Sequence, residues 1–265
     1  MSIPAGDILR DTLPSPVEGI EGRFASTIPE AWRIFYAFGG ATMATALRAA
    51  TEAVGRDDLH LLSADATFCQ AVPCGPVAAQ VEVLRQGRTA AQALVRLWAL
   101  DPIDPDPSGP VGNDLVVTCV FGARSASRFE FVGVTAPEVP GPDDCVTREH
   151  EPDSPFAAVP YHAQTEFRLV GDRRFDADTP AGEPRSSSWF RFRTSPRRDD
   201  GRWEPAVLAL PGDILGPAVH AGAGGAAGTF LVISLQISLQ IVGDVRSEWL
   251  LQHTRAHIAA DGYTS

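Results

Sequence analysis

The sequence predicts an α+β protein in which antiparallel sheet wraps around a single helix, with that theme stated twice along the chain. Three observations predict it. A helix-forming run of small residues, 39–54 (GGATMATALRAATEAV), stands ahead of a series of strand-like segments. Period-two alternation is plain in Val77–Val83 and again in Phe230–Ile241. A stretch rich in proline and acidic residues, Thr135 to Pro160, separates the two halves.

Taken in order, the chain begins Met1-Ser2-Ile3-Pro4-Ala5-Gly6-Asp7, with neither a basic region nor an apolar core, so no signal peptide is expected. In the run that follows, Gly55 stops the helix, and its alanines and glycines would let a sheet approach closely. Val77, Ala79, Val81 and Val83 alternate with polar positions. Gln86-Gly87-Arg88 makes a tight turn into a strand over Ala90–Leu100, and Leu115–Phe121 makes another. Asp101 to Asn113 reads as a long hairpin loop between them. The organisation expected is therefore 1–134, a linker at 135–160, and 161–265.

In the second half, Tyr161–Leu169 alternates apolar and polar positions and Ser188–Arg193 continues as a strand. Pro205–Val219 is an apolar helix broken at Pro211-Gly212 and Gly216-Pro217. The sharpest pattern is Phe230–Ile241 (FLVISLQISLQI). Leu231, Ile233, Leu235, Ile237, Leu239 and Ile241 share one face, and Ser234, Gln236, Ser238 and Gln240 share the other. Glu248–Ala259 is expected to pair with it as the next strand. That segment would leave an open edge inviting a partner chain.

Composition narrows the chemistry. The net charge is -11, and all 22 basic side chains are arginine, because the sequence contains no lysine. A phosphate-loop lysine and a Schiff-base lysine are both excluded, and with them Walker-type nucleotide hydrolases and pyridoxal enzymes. An acidic chain without a basic run argues against nucleic-acid binding. Cys69, Cys74, Cys119 and Cys145 fit neither a zinc knuckle nor a CxxC redox pair; they are expected as reduced thiols, Cys69 and Cys119 within strands. Thr229–Val242 is too short and too polar to span a bilayer, and a cytoplasmic location is expected. No G-x-S-x-G is present, which disfavours an α/β-hydrolase with a serine nucleophile.

Several segments, in order, resemble the acyl-CoA thioesterase II family, whose fold is two hotdog domains in one chain. Phe38-Gly39-Gly40 resembles the opening of the family's first hotdog helix. Phe68 and Val83-Leu84-Arg85-Gln86-Gly87-Arg88-Thr89 resemble its "F…P…VE-LR-GR" hairpin. Leu208-Ala209-Leu210-Pro211-Gly212-Asp213 is similar to its "LAY-SD" segment, and Ile233-Ser234-Leu235 with Glu248-Trp249-Leu250-Leu251 to its "SLD…EWLL" strands. The resemblance implies a double hotdog, an acyl-CoA substrate, no cofactor, and association of copies through their sheets. It also implies that an Asp, a hydroxyl residue and a C-terminal Gln hold the hydrolytic water. The Asp maps onto Asp213 and the hydroxyl onto Ser234. The strand that would carry the Gln lies beyond Ser265, so the second hotdog is expected to lack its last two strands, and Gln236 stands where an acidic residue often follows "SL".

Thioester chemistry suits these residue types. A thioester carbonyl is electrophilic enough for water to attack without a covalent intermediate. A carboxylate can orient or deprotonate that water, and backbone N–H groups at a helix start can take the developing charge. Gly39, Gly40, Arg88 and Gln236 are the expected substrate contacts. Plainer roles stand beside these: Asp213 as a turn or N-cap residue, Ser234 as a polar-face residue like Ser238, Gly39-Gly40 as helix–sheet packing, and Arg88 as a solvated hairpin tip. His253 and His257 share a face but lack a third ligand or an HExxH motif, so no metal site is expected. Asp213 and His220 have the wrong spacing for the Asp/His pair of hotdog hydratases. A catalytically silent acyl-thioester-binding or assembly module is the alternative to the enzyme.

Overall fold

A computed structural model of the chain describes residues 5–125, 129, 131–147, 158–171 and 179–265. Its centre is helix α2 (Gly39–Val54), preceded by a single turn, α1 (Ile8–Asp11), and two strands, β1 (Ser15–Pro16) and β2 (Arg23–Ile28). Four strands follow: β3 (His60–Phe68), β4 (Gly75–Gln86), β5 (Ala90–Ala99) and β6 (Leu115–Gly122). In the second half come β7 (Val146–Thr147), α3 (Pro160–Gln164), β8 (Thr165–Leu169) and β9 (Arg185–Phe192). Then come α4 (Ala209–Gly212), α5 (Gly216–Ala223), β10 (Gln236–Gln240), β11 (Leu250–Arg255), β12 (Ala259–Ala260) and β13 (Tyr263–Thr264).

Helix α2 has the bounds expected of it, and the reason is local. Gly55 adopts φ 58° and donates its N–H to the Thr51 carbonyl, a left-handed cap that suits glycine. Ala41, Ala44, Ala46, Ala49 and Ala50 are completely buried, so the helix is enclosed on nearly every side. Its threonines satisfy their hydroxyls on their own helix: buried Thr42 on Gly39, buried Thr45 on Ala41 and exposed Thr51 on Leu47. Small side chains let β2 to β6 curl over one side of α2 while the second half covers the other.

The main sheet is antiparallel throughout, in the order β1-β2-β4-β5-β6-β3-β10. The hairpin expected at Gln86-Gly87-Arg88 forms with its turn one residue later, at 87–89, closed by Gly87 N–H to the Ala90 carbonyl at 2.8 Å. A second sheet runs β11-β9-β8-β7. One apolar core spans both halves, because Trp32 of the first half stacks edge-on to Tyr161 and Phe192 of the second, at 6.5 and 6.1 Å.

The structure corrects five sequence expectations. Strand β10 does not pair with the Glu248–Ala259 segment. It joins the first half's sheet, Ser238 opposite Asp65, while β11 pairs with β9. Period-two alternation identifies a strand without naming its partner, which is fixed over long range. Strand β10 is also shorter than the alternation: Leu231, Ile233 and Leu235 are 52, 71 and 53% exposed, and only the Ile237–Ile241 end faces the core. Tyr161–Gln164 is a helical turn rather than strand, because Pro160 at its first position pre-sets helical φ. Cys69 lies just past the end of β3 and is exposed. Within 135–160, Val146–Thr147 is sheet, paired with β8; Pro152 and Pro155 of that linker lie outside the described residues.

One helical stretch among the described residues, Pro205–Ala226, is long and apolar enough to cross a membrane. In the structure it is interrupted at Asp213–Leu215, and Leu210 of α4 lies against Gly40 of α2.

Candidate active site

The site forms where the start of α2 meets the end of α4. Phe38, at the N-cap position of α2, has no side chain able to accept from the first-turn N–H groups. The missing acceptor comes from the other half of the chain. Asp213 is the C-cap of α4, its backbone N–H bonded to Ala209 and Leu210 carbonyls, and this turn aims its carboxylate away from its own helix. Asp213 Oδ2 accepts from Gly40 N–H at 3.0 Å, across 173 residues of sequence. The plain reading of Asp213 as a helix cap is thus half right: it caps a helix contributed by the other half.

Two glycines make the approach possible. A Cβ on Gly39 would stand 2.5 Å from Asp213 Oδ2 and 3.2 Å from the Phe68 ring, so only hydrogen leaves room for the carboxylate. A Cβ on Gly40 would stand 2.5 Å from the Leu210 Cα, so this residue sets how closely α2 and α4 pack. Packing and site access are therefore the work of neighbouring positions.

Ser234 completes the cluster, its hydroxyl donating to Asp213 Oδ1 at 2.5 Å. Simple alternation would put Ser234 on the outer face with Ser238. Ser238 is indeed there, donating to Asp65, but β10 starts only at Gln236, and the irregular chain before it brings Ser234 onto Asp213. Burial raises the Asp213 carboxyl above the ordinary carboxylate value, while the bonds from Ser234 and Gly40 oppose the rise. Among the described residues the causes of the shift are burial and these two hydrogen bonds.

The structure does not bring every expected residue to this place. Gln236 is exposed and pairs with Thr67 in the ladder. Arg88 is exposed at the β4–β5 turn, where Arg56, just past α2, bonds the Gly87 and Arg88 carbonyls. The 16 residues of α2 put that turn roughly 24 Å from Asp213. Phe68, noticed in the sequence only as part of a motif, stands beside the carboxylate; a lone aromatic at a strand end carries no sequence signal of such a role. His253 bonds Ser187 across β9 and β11, and among the described residues no three potential metal ligands converge.

Comparison with known proteins agrees with this architecture. The family model described as the acyl-CoA thioesterase N-terminal domain matches residues 28–122, and the C-terminal domain model matches 142–265. A search of curated proteins found no match. Among solved structures, a candidate thioesterase from Novosphingobium aromaticivorans is 30% identical, with a TM-score of 0.68 over 94% of this chain and 88% of that one. A conserved hotdog-fold protein of unknown function from Alicyclobacillus acidocaldarius superposes at a TM-score of 0.75 with 21% identity, covering 97% of this chain and 88% of that one. The acyl-CoA thioesterase II TesB2 of Mycobacterium marinum gives 0.63 with 19% identity and the same coverage. Two family models in tandem, over a hotdog fold whose helix starts beside the second half's carboxylate, place this chain in the acyl-CoA thioesterase family.

Proposed function

We propose that the chain hydrolyses acyl-CoA (or acyl-carrier) thioesters to free acid and thiol, using a water activated by Asp213 and Ser234. The observation that carries this reading is the meeting of Asp213, Ser234 and the start of α2 at one point, with hydrogen bonds of 2.5 and 3.0 Å.

Each carboxylate oxygen has about two acceptor positions. One on each is used, by Ser234 and by Gly40, so acceptor capacity remains for a water. A carboxyl raised above its ordinary pKa is a stronger base once ionised, which favours proton removal near neutrality. The water oxygen adds to the thioester carbonyl carbon as Asp213 takes its proton. Negative charge then develops on the former carbonyl oxygen, where the Gly39 N–H and the positive end of α2 can receive it. Collapse of the adduct breaks the C–S bond, and the proton returns to the departing sulfur. The products are a carboxylic acid and a thiol, and Asp213 is again ionised.

Incubating the protein with acyl-CoAs from acetyl to palmitoyl and following free thiol tests the proposal. Thiol release from at least one chain length, above the uncatalysed rate, is expected. Binding without release at every length would refute hydrolysis and make the chain a silent acyl-thioester binder.

A further inference from the structure

We propose that Phe68 is a positioning residue for this reaction, its ring forming the dry wall that keeps the Asp213 carboxylate out of water. This rests on the reading of Asp213 as the base. The geometry comes from the space above Gly39: Asp213 Oδ2 and the Cε1 and Cζ edge of Phe68 both lie within 3.2 Å of the point where a Cβ would stand. A carboxylate and a ring edge therefore share one small volume, which glycine alone leaves open.

Phe68 is held there firmly. It is the last residue of β3, opposite Leu115 of β6, and its N–H donates to the Leu235 carbonyl at 2.9 Å. The next residue, Cys69, is tied to the Asp114 carbonyl at 2.8 Å. The ring is partly buried against the core, so it has little freedom to swing away.

The electrostatic surroundings make an apolar wall decisive. The first turn of α2 carries no acidic residue, and neither α4 nor Phe230–Gln240 contributes an ionisable side chain. On β3, Asp65 is bonded to Ser238 and His60 is at the far end of the strand, while His220 of α5 meets the Phe230 ring edge-on. Among the described residues, burial is the leading cause of the Asp213 shift, ahead of its two hydrogen bonds. The groups that withhold water thus set the basicity of the carboxylate.

The test compares Phe68→Ala and Phe68→Gln, which admit water, with Phe68→Leu, which keeps an apolar cover. The readout is the pH profile of kcat together with titration of Asp213 by carbon-labelled aspartate NMR, which needs no turnover. Expected are a shift of the acid limb to lower pH in the Ala and Gln variants, a fall in kcat at neutral pH with KM little changed, and a near-native limb in the Leu variant. If Ala disrupts folding, Gln, which retains bulk, carries the test. An unmoved limb and an unmoved Asp213 titration in the folded Ala or Gln variant would overturn the proposal. Full activity in Asp213→Asn would instead overturn the role of Asp213 itself, so the two failures are distinguishable.

Discussion

Adding one methyl group at Gly39 or at Gly40 should have opposite consequences. In Gly39→Ala the new Cβ is 2.5 Å from Asp213 Oδ2, about 0.9 Å short of the 3.4 Å at which ordinary contact begins. The carboxylate is the movable partner and must retreat, and a retreat of that size stretches the 3.0 Å bond to Gly40 N–H beyond hydrogen-bond range. A bond to an ionised acceptor contributes about 1.5–3 kcal/mol, but the displaced carboxylate regains water, so the net stability loss should stay below about 2 kcal/mol. The base is no longer placed, and general-base catalysis is worth roughly a hundredfold or more. In Gly40→Ala the clash is with the Leu210 backbone, which has no soft degree of freedom. Overpacking of this kind costs about 1–3 kcal/mol, and at roughly 2–4 °C per kcal/mol for a chain of this size the Tm should fall by several degrees. Thermal melts and thiol-release kinetics on both variants decide the matter. Wild-type kcat in Gly39→Ala would refute the reasoning.

Further consequences follow from the ionisable groups. Folding raises the Asp213 pKa, so the folded chain holds that proton more tightly than the unfolded chain. The stability linked to it is fully present below the unfolded value and is lost as pH rises through the folded value. Asp213→Asn should therefore be at least as stable as wild type at neutral pH, measured as Tm against pH; a marked loss there would contradict the burial argument. Glu166, only 8% exposed, is bonded to Arg191 and Arg168 at 2.6 and 2.7 Å. Burial acts to raise its pKa, but the two arginines outweigh it and the net shift is downward. Its contribution is therefore present above the unfolded carboxylate value and is lost as pH falls through the folded one, and Glu166→Gln should cost about 1–3 kcal/mol in urea unfolding at neutral pH. Burial pushes the Cys119 thiol up to about 12, so a thiol reagent at neutral pH should label exposed Cys69 well before it; early loss of Cys119 would contradict the packing of β6.

What the sequence disclosed depended on how local the cause was. Helix α2 and the β4–β5 hairpin are set by nearby residues: small helix formers ended by Gly55, and a Gly87 turn between alternating strands. Both were legible. The partner of β10 was not, because nothing in Gln236–Gln240 specifies pairing with Ser63–Thr67 rather than with the following segment. The meeting of Asp213 and Ser234 was implied by family resemblance, whereas alternation alone pointed Ser234 outward. The shared space over Gly39, where the Phe68 edge meets the carboxylate, depends on a contact between residues 39, 68 and 213, and no one-dimensional pattern encodes it.

The most direct test of the account is the kcat of Asp213→Asn on the best acyl-CoA substrate, with Ser234→Ala alongside. Asparagine preserves size and can still meet Gly40 and Ser234, but it cannot take a proton. A loss of roughly a hundredfold or more in kcat with folding intact is expected for Asn, and a smaller loss for Ser234→Ala. Turnover in Asp213→Asn equal to that of wild type would mean that another group activates the water.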